Sequence, residues 1–354
     1  MNPRRAAFSP IYALGAAVLF GVSTPLAKIL VGQVPPILLA GLLYLGSGLG
    51  LGIIWIAQSL LLRDAPREAP LRRSDMPWLG GAIAFGGIAG PILLMVGLTL
   101  TSGSAASLLL NLEAVFTAML AWLVFRENCD RRILLGMGLI VAGGVVLGWG
   151  GPLHFGSPWG AIAIAGACLC WGLDNNLTAR VSAGNPVHVT CLKGLVAGSV
   201  NLILAFSLGA ALPGWPVATR AAVLGVTGYG LSLMLFVLAL RHLGAARTGA
   251  YFSSAPFVGA IVALLLLHEP LTASMAVAAA LMGLGVWLHL TEQHGHMHLH
   301  AEMLHEHRHY HDDHHQHEHD EEPEVGRAHV HVHQHRRFGH AHHHYPDLHH
   351  HHEH

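Results

Sequence analysis

Charge is scarce in this chain. Of its 354 residues only 11% are charged and 53% are hydrophobic, against roughly 25% charged in an ordinary soluble domain, which excludes a soluble globular protein. The scarcity is also uneven. Eight of the 20 acids lie in the first 291 residues, and the other twelve crowd into the last 63 together with 25 of the 30 histidines. The net charge of −1 therefore averages a membrane body and an acidic, histidine-laden tail, and it points to no nucleic-acid partner.

Cysteine is nearly missing as well. Cys129, Cys168, Cys170 and Cys191 are too few and too scattered for a disulfide framework, so free thiols are expected. Cys168 and Cys170 look like a chelating pair, but residues two apart on a helix face away from each other. No nucleophile–base constellation is present, and no H-E-x-x-H motif falls in the apolar body, so an enzyme is not expected. The first apolar run, after Arg4 and Arg5, is too long for a signal-peptide core and has no small-residue cleavage site; it reads as a retained helix.

What the chain does contain is long apolar runs. The stretch from Gly103 to Glu127 holds about 23 mostly apolar residues with one carboxylate, Glu113, near its middle. The run from Gly249 to Glu269 repeats it, with Glu269 falling 142 residues after Glu127. Ten such segments follow one another, near 11–32, 37–62, 77–99, 103–125, 132–150, 158–180, 187–209, 220–240, 244–267 and 271–291, each close to the roughly 20 residues that a bilayer requires. Alternate loops place twelve arginines on one side and only Arg220 on the other, so both termini are expected in the cytoplasm of a bacterial inner-membrane protein. Five helices per half is an odd number. The second half therefore enters from the opposite face, giving an all-α membrane protein of ten transmembrane helices in two inverted repeats, 1–150 and 151–291, a transporter signature. The first helix of each half, with Gly21 matching Gly172, is expected to be broken by Gly, Ser, Thr and Pro25 in one case and by Gly, Asp and two Asn in the other.

At these residues the chain resembles the drug/metabolite transporter superfamily, specifically its EamA-like members. Phe20-Gly21 with Lys28, and Trp171-Gly172 with Asn175, are similar to the W-G-x-x-N opening of each repeat. Leu112-Glu113-Ala114-Val115 with Phe125-Arg126-Glu127, and Ala255-Pro256-Phe257 with His268-Glu269-Pro270-Leu271, resemble the family's E-P-V and G-E-x-L patterns. Ala114 stands where the family has proline, and Ala255 where the first repeat has glutamate. The resemblance implies secondary active transport of a small metabolite, commonly outward, through a cavity between the repeats.

Polar groups at membrane depth are costly and mark candidate sites. The candidate substrate-binding set is Glu113, Asp174, Asn175, Asn176, Lys193 and Lys28, together with Trp171 of the repeat motif and Asn111, two residues before Glu113. Asp174 and Lys193 both fall about 8 Å to the cytoplasmic side of the midplane, so they are placed to pair, either as a structural ion pair or as cavity lining. Glu113 has no lysine at its depth in an adjacent segment. It reads as a reversible proton acceptor or a contact for a substrate amine, against a protonated packing carboxyl. Lys28 serves an anionic group or snorkels to the outer interface. Glu127 and Glu269 end their helices, where exposure or helix-end contacts are expected.

Residues 292–354 have almost no apolar content, and a disordered cytoplasmic tail is expected. His294, His296, His298 and His300, then His305, His307, His309 and His311, then His329, His331, His333 and His335 recur at every second position. In an extended chain that spacing puts them on one side. Imidazole suits Ni, Co, Zn and Cu, so many interchangeable metal sites are implied, with pH sensing or no role as the competing readings. No cofactor is required by the transporter reading. The tail also raises metal export, or membrane-anchored metal buffering without transport, as alternatives.

Overall fold

The computed structural model of the chain describes residues 3–61, 71, 73–125, 131–149, 158–181, 185–290, 294–300, 303–309, 329–335 and 338–344. The body is helical throughout. It begins with α1 (Pro3–Val31) and α2 (Pro36–Leu61); α3 (Met76–Ala82) then passes through a π-helical segment, Ile83–Ala89, into α4 (Gly90–Leu100). Next come α5 (Gly103–Leu109), α6 (Leu112–Phe125) and α7 (Arg131–Trp149). The second half follows the same plan: α8 (Pro158–Val181), α9 (Pro186–Ser207), α10 (Trp215–Leu224), a π-helical segment Gly225–Leu231, α11 (Ser232–Phe252), α12 (Ala255–Leu266) and α13 (Ala273–Leu290). Among the described residues six helical stretches are long and apolar enough to cross a membrane, and Ala255–Leu266 and Ala273–Leu288 are shorter apolar helices.

The duplication seen in the sequence is visible in the architecture. The two π-helical segments stand 142 residues apart, as Glu127 and Glu269 do. Equivalent helices of the two halves pack against each other: Gly41 of α2 lies against Leu202 of α9, Gly48 against Leu195, and Gly52 against Cys191. As numbering rises along α2 it falls along α9, so these equivalents run antiparallel, as inverted repeats demand. The first helix of each half packs on the fourth helix of the other. A Cβ on Gly21 would stand 2.4 Å from the Ala255 carbonyl at the head of α12, and one on Gly172 would stand 3.0 Å from Phe116 Cβ on α6. These small residues let the backbones close together where lipid gives helices no hydrophobic drive to associate.

Three expectations need correction. Both first helices run unbroken, α1 carrying Pro10 and Pro25 inside it. Backbone polar groups in a bilayer must stay bonded within the segment, which outweighs the weak helix propensity of Gly, Ser and Asn. The breaks fall in the fourth helices instead, at Leu110-Asn111 and at Ser253-Ser254; Pro256, in the first turn of α12, has no N–H to bond back across the second. The expected loop between 240 and 244 is helical, α11 continuing through it to Phe252.

The third correction concerns the tail, which was expected to lack regular structure. It contains β1 (His294–His300), β2 (Met303–His309), β3 (His329–His335) and β4 (Phe338–His344), with β1 paired to β4 and β2 to β3, both antiparallel. Composition rules out a core but not a ladder, since backbone pairing needs only an extended chain, and a period of two is the strand period. His311 and Glu127 lie outside the described residues.

Candidate functional site

The π-helical segment Ile83–Ala89 shapes one wall of the site, and Pro91 follows it two residues later. Proline has no N–H, so the carbonyls of Gly86 and Gly87, five and four residues before it, lose that intrahelical donor. Side chains replace it. The Tyr44 hydroxyl donates to Gly86 O at 2.7 Å, Trp171 Nε1 donates to the same oxygen at 3.1 Å, and Asn201 Nδ2 donates to Gly87 O at 3.1 Å. Tyr44 on α2 and Trp171 on α8 are thereby fixed at the edge of a cavity that Phe20, Tyr229 and Phe252 also line.

Asp174, one helical turn beyond Trp171, sits opposite Gly86. The buried Lys193 on α9 donates to both Asp174 carboxylate oxygens, and the Thr178 hydroxyl donates to Oδ1 at 2.8 Å. The ion pair is closed and hydrogen-bonded, the arrangement in which a buried pair is tolerated. No side chain fits at position 86: a Cβ there would stand 1.9 Å from Asp174 Oδ2. Gly86→Ala is expected to push the carboxylate out of its pair and lower stability by about 1–3 kcal/mol or more, which thermal unfolding of the detergent-solubilised protein would measure.

Glu113 faces the same cavity from α6. The break at Leu110-Asn111 restarts the helix at Leu112, leaving Glu113 in its first turn, where the positive end of the helix favours a carboxylate. Asn175 Nδ2 donates to Glu113 Oε1 at 2.8 Å and lies 3.2 Å from Thr117 Oγ1. Two acids, Glu113 and Asp174, and one base, Lys193, thus line the cavity. Because Lys193 is committed to Asp174, Glu113 is the lining acid with no basic partner among the cavity residues.

Of the eight candidate residues, Glu113, Asp174, Asn175, Lys193 and Trp171 meet at this cavity. The other three are placed elsewhere. Asn111 donates to Leu108 O at 3.0 Å and approaches Met282 Sδ, filling the helix break. Asn176 donates to Gly172 O at 2.8 Å and to Thr117 O at 3.3 Å, tying α8 to α6. Lys28 donates to Leu98 O and, at 2.7 Å, to Thr101 O, capping the end of α4, so it is not among the cavity-lining residues.

The aromatic lining escaped the sequence reading. Phe20 stands at the centre of a cluster, 5.9 Å from Trp171, 6.1 Å from Tyr229 and 5.5 Å from Phe252 between ring centroids, and Phe236 lies 4.8 Å from Phe252. Two tyrosine hydroxyls inside apolar spans, Tyr44 and Tyr229, were the available signal, since a polar group at membrane depth is costly.

Glu269 makes the helix-end contact expected of it, but across the repeats. Its Oε1 accepts from Gly103 N at 2.7 Å, and its Oε2 accepts from Ser104 N at 2.9 Å and from the Ser104 hydroxyl. The carboxylate thus caps the N-terminus of α5 from the opposite half. Glu269→Ala is expected to cost about 1–2 kcal/mol and to leave the cavity residues unmoved, so thermal stability should fall while ligand affinity holds.

With this geometry in view, the comparisons are decisive for the family. The model of the EamA-like transporter family matches residues 7–149 and again 158–291. The chain belongs to the EamA-like transporter family. It is 29% identical over 286 residues to an uncharacterized transporter of Methanothermobacter thermautotrophicus, covering 77% of this chain and 83% of that one. It is 26% identical over 271 residues to the uncharacterized inner membrane transporter YedA of Escherichia coli K12, covering 73% and 81%. A shorter relative, the probable 4-amino-4-deoxy-L-arabinose-phosphoundecaprenol flippase subunit ArnE of Salmonella newport, is 34% identical over 108 residues, 28% of this chain and 96% of ArnE. One solved crystal structure shares the fold at a TM-score of 0.60 and 17% identity, covering 80% of this chain and 96% of its own. These relatives are named as transporters and not as enzymes.

Proposed function

We propose that this EamA-family member is a secondary active exporter of the bacterial inner membrane, with ten spans and both termini cytoplasmic. Its cargo is a small metabolite bearing an amine, carried through the cavity between the inverted repeats in exchange for protons. The observation that carries this reading is the place of Glu113, a cavity-lining acid bonded by the Asn175 amide and not by Lys193. A carboxylate at the head of a broken helix, held by one amide and facing a cavity lined by aromatic rings, suits a cation. Aromatic faces add cation–π attraction for an ammonium group. A proton and an ammonium compete for the same oxygen atoms, so each excludes the other. Exchange of the two across the membrane then follows if the cavity opens alternately to either face.

Asp174 and Lys193 lie toward the cytoplasmic side in this orientation, while Glu269 ties the repeats together at the outer ends of α5 and α12. Loading from the cytoplasm comes first, and release requires the Glu269 contacts to part. The tail is proposed to bind divalent transition-metal ions, Ni, Co, Zn or Cu.

That tail favours a second reading, in which the exported cargo is itself such an ion. The body offers it little: among the described residues no group of three or more His, Cys, Asp or Glu side chains could hold a metal. Purified protein in liposomes with an imposed pH gradient distinguishes the two. Uptake of a radiolabelled primary amine, with none of Ni or Zn, supports the first reading; movement of Ni or Zn alone replaces it with the second.

A further inference from the structure

The turn that interrupts the fourth span is overwound. Asn111 N donates to Leu108 O at 3.1 Å, Glu113 N to Leu110 O at 3.0 Å and Ala114 N to Asn111 O at 3.2 Å, each reaching back three residues where an α-helix reaches back four. Such a turn advances about 120° per residue instead of about 100°. Over the three steps from Leu110 to Glu113 the difference comes to about 60°. Glu113 therefore leaves the break on a different side of the span from the one a continuous helix would give it. That side is the one on which Asn175 bonds it and the cavity lies.

The shortened reach leaves carbonyls behind, and two side chains take them up. In a continuous helix Leu109 O would accept from Glu113 N; here the buried Cys168 thiol on α8 donates to it at 3.7 Å and reaches Leu110 O at 3.9 Å. Leu108 O, the acceptor for Leu112 N in a continuous helix, takes a bond from Asn111 Nδ2 at 3.0 Å beside the one from Asn111 N. The break in the second half is held in the same manner. Tyr251 O accepts from Ser254 N at 3.2 Å and from the Ser254 hydroxyl at 2.7 Å. In both repeats, then, a residue at the break bonds the carbonyl three places before it twice, once with its backbone and once with its side chain.

Asn111 holds this place at a cost. It is buried, it approaches Met282 Sδ at 3.8 Å, and its Oδ1 has no partner among the described residues. An orphaned buried acceptor is unfavourable, and leucine would carry none. What the amide contributes is the bond that tightens the turn.

We propose that Asn111 and Cys168 are positioning residues for transport, holding the overwound turn that aims Glu113 into the cavity. Neither lines the cavity, so each acts on cargo only through Glu113. Asn111 carries the larger share, because a thiol is a weak donor. The proposal rests on the reading that Glu113 exchanges protons for an ammonium group.

The test compares Asn111→Leu, Asn111→Ser, Cys168→Val and Cys168→Ser with the parent and with Glu113→Gln, all as purified full-length proteins in detergent. Labelling of Glu113 by dicyclohexylcarbodiimide, read by mass spectrometry, reports whether the carboxyl faces the cavity without needing a cargo. Equilibrium binding of phenethylamine reports what that placement does. Asn111→Leu should lose labelling at Glu113 and bind phenethylamine about tenfold or more weakly, and Cys168→Val should do both to a smaller extent. It gives up one bond and one orphaned acceptor together, so Asn111→Leu should melt near the parent. The serine variants keep a donor, Asn111→Ser in the manner of Ser254, and should restore labelling and binding. Parent-like labelling in Asn111→Leu, or serine variants no better than leucine and valine, would overturn the proposal. Labelling that falls while phenethylamine binding holds, or a parent that binds no phenethylamine, would instead overturn the reading of Glu113 on which the proposal rests.

Discussion

Glu113→Gln is expected to reduce amine movement driven by a pH gradient to the level of protein-free liposomes. The amide keeps the shape of the carboxylate and can still bond Asn175, which presents Nδ2 to Oε1 at 2.8 Å, so the protein should fold, insert and melt as the parent does. What it loses is the one lining acid whose charge is not committed to Lys193. Without a titrating group the proton and the cargo no longer compete, and a gradient of one cannot drive the other. Binding itself should persist in weakened form, because a charge-assisted hydrogen bond contributes roughly 1.5–3 kcal/mol, or about ten- to a hundredfold in Kd. Isotope exchange of the amine without a pH gradient separates the two losses. A Glu113→Gln protein that still concentrates amine against its gradient would remove the proposed coupling.

The second large effect lies at the ion pair. Asp174→Asn leaves the Lys193 ammonium buried and without its carboxylate, and Lys193→Met leaves Asp174 likewise. Each is expected to destabilise the protein by about 3–5 kcal/mol, because an unpaired charge in a low-dielectric interior has nothing to replace water. The double variant should recover most of that loss, since a buried pair is often replaced by neutral residues at little net cost. Thermal unfolding of the four proteins forms the double-mutant cycle. If the double variant is no more stable than either single variant, the two side chains do not act as a pair. Transport by the double variant then tells whether the pair also contacts cargo, because a purely structural pair leaves a stable neutral version active.

Much of the body was legible because a bilayer makes few exceptions. A recurring Glu at 127 and 269 exposed the duplication, and the equivalent helices α2 and α9 run antiparallel where they meet. Asp174, Lys193 and Glu113 stood out because charge at membrane depth is rare. Lys28 was found by the same rule, but depth alone does not show that the carbonyls of Leu98 and Thr101 end a helix within its reach. The aromatic lining was hidden for the opposite reason: Phe20, Phe236 and Phe252 are ordinary in an apolar helix, and only packing reveals that they share a cavity. Nor could the sequence place the helix breaks. Pro25 looks like one and is absorbed into α1, whereas Leu110-Asn111 carries no strong breaker and yet interrupts the fourth span. In the tail, the two-residue histidine period was plain, but composition spoke for disorder, and the register that pairs His294 with His344 spans too many residues to be read from spacing.

Exchange at Glu113 is tested most directly by proton release on binding, measured as the pH change of an unbuffered solution of the purified protein, held below the pH at which Glu113 titrates, when a primary amine is added. Competition for one carboxylate predicts about one proton released for each ammonium bound, and none from Glu113→Gln. Amine binding with no proton released from the parent protein, or equal release from both proteins, would contradict it.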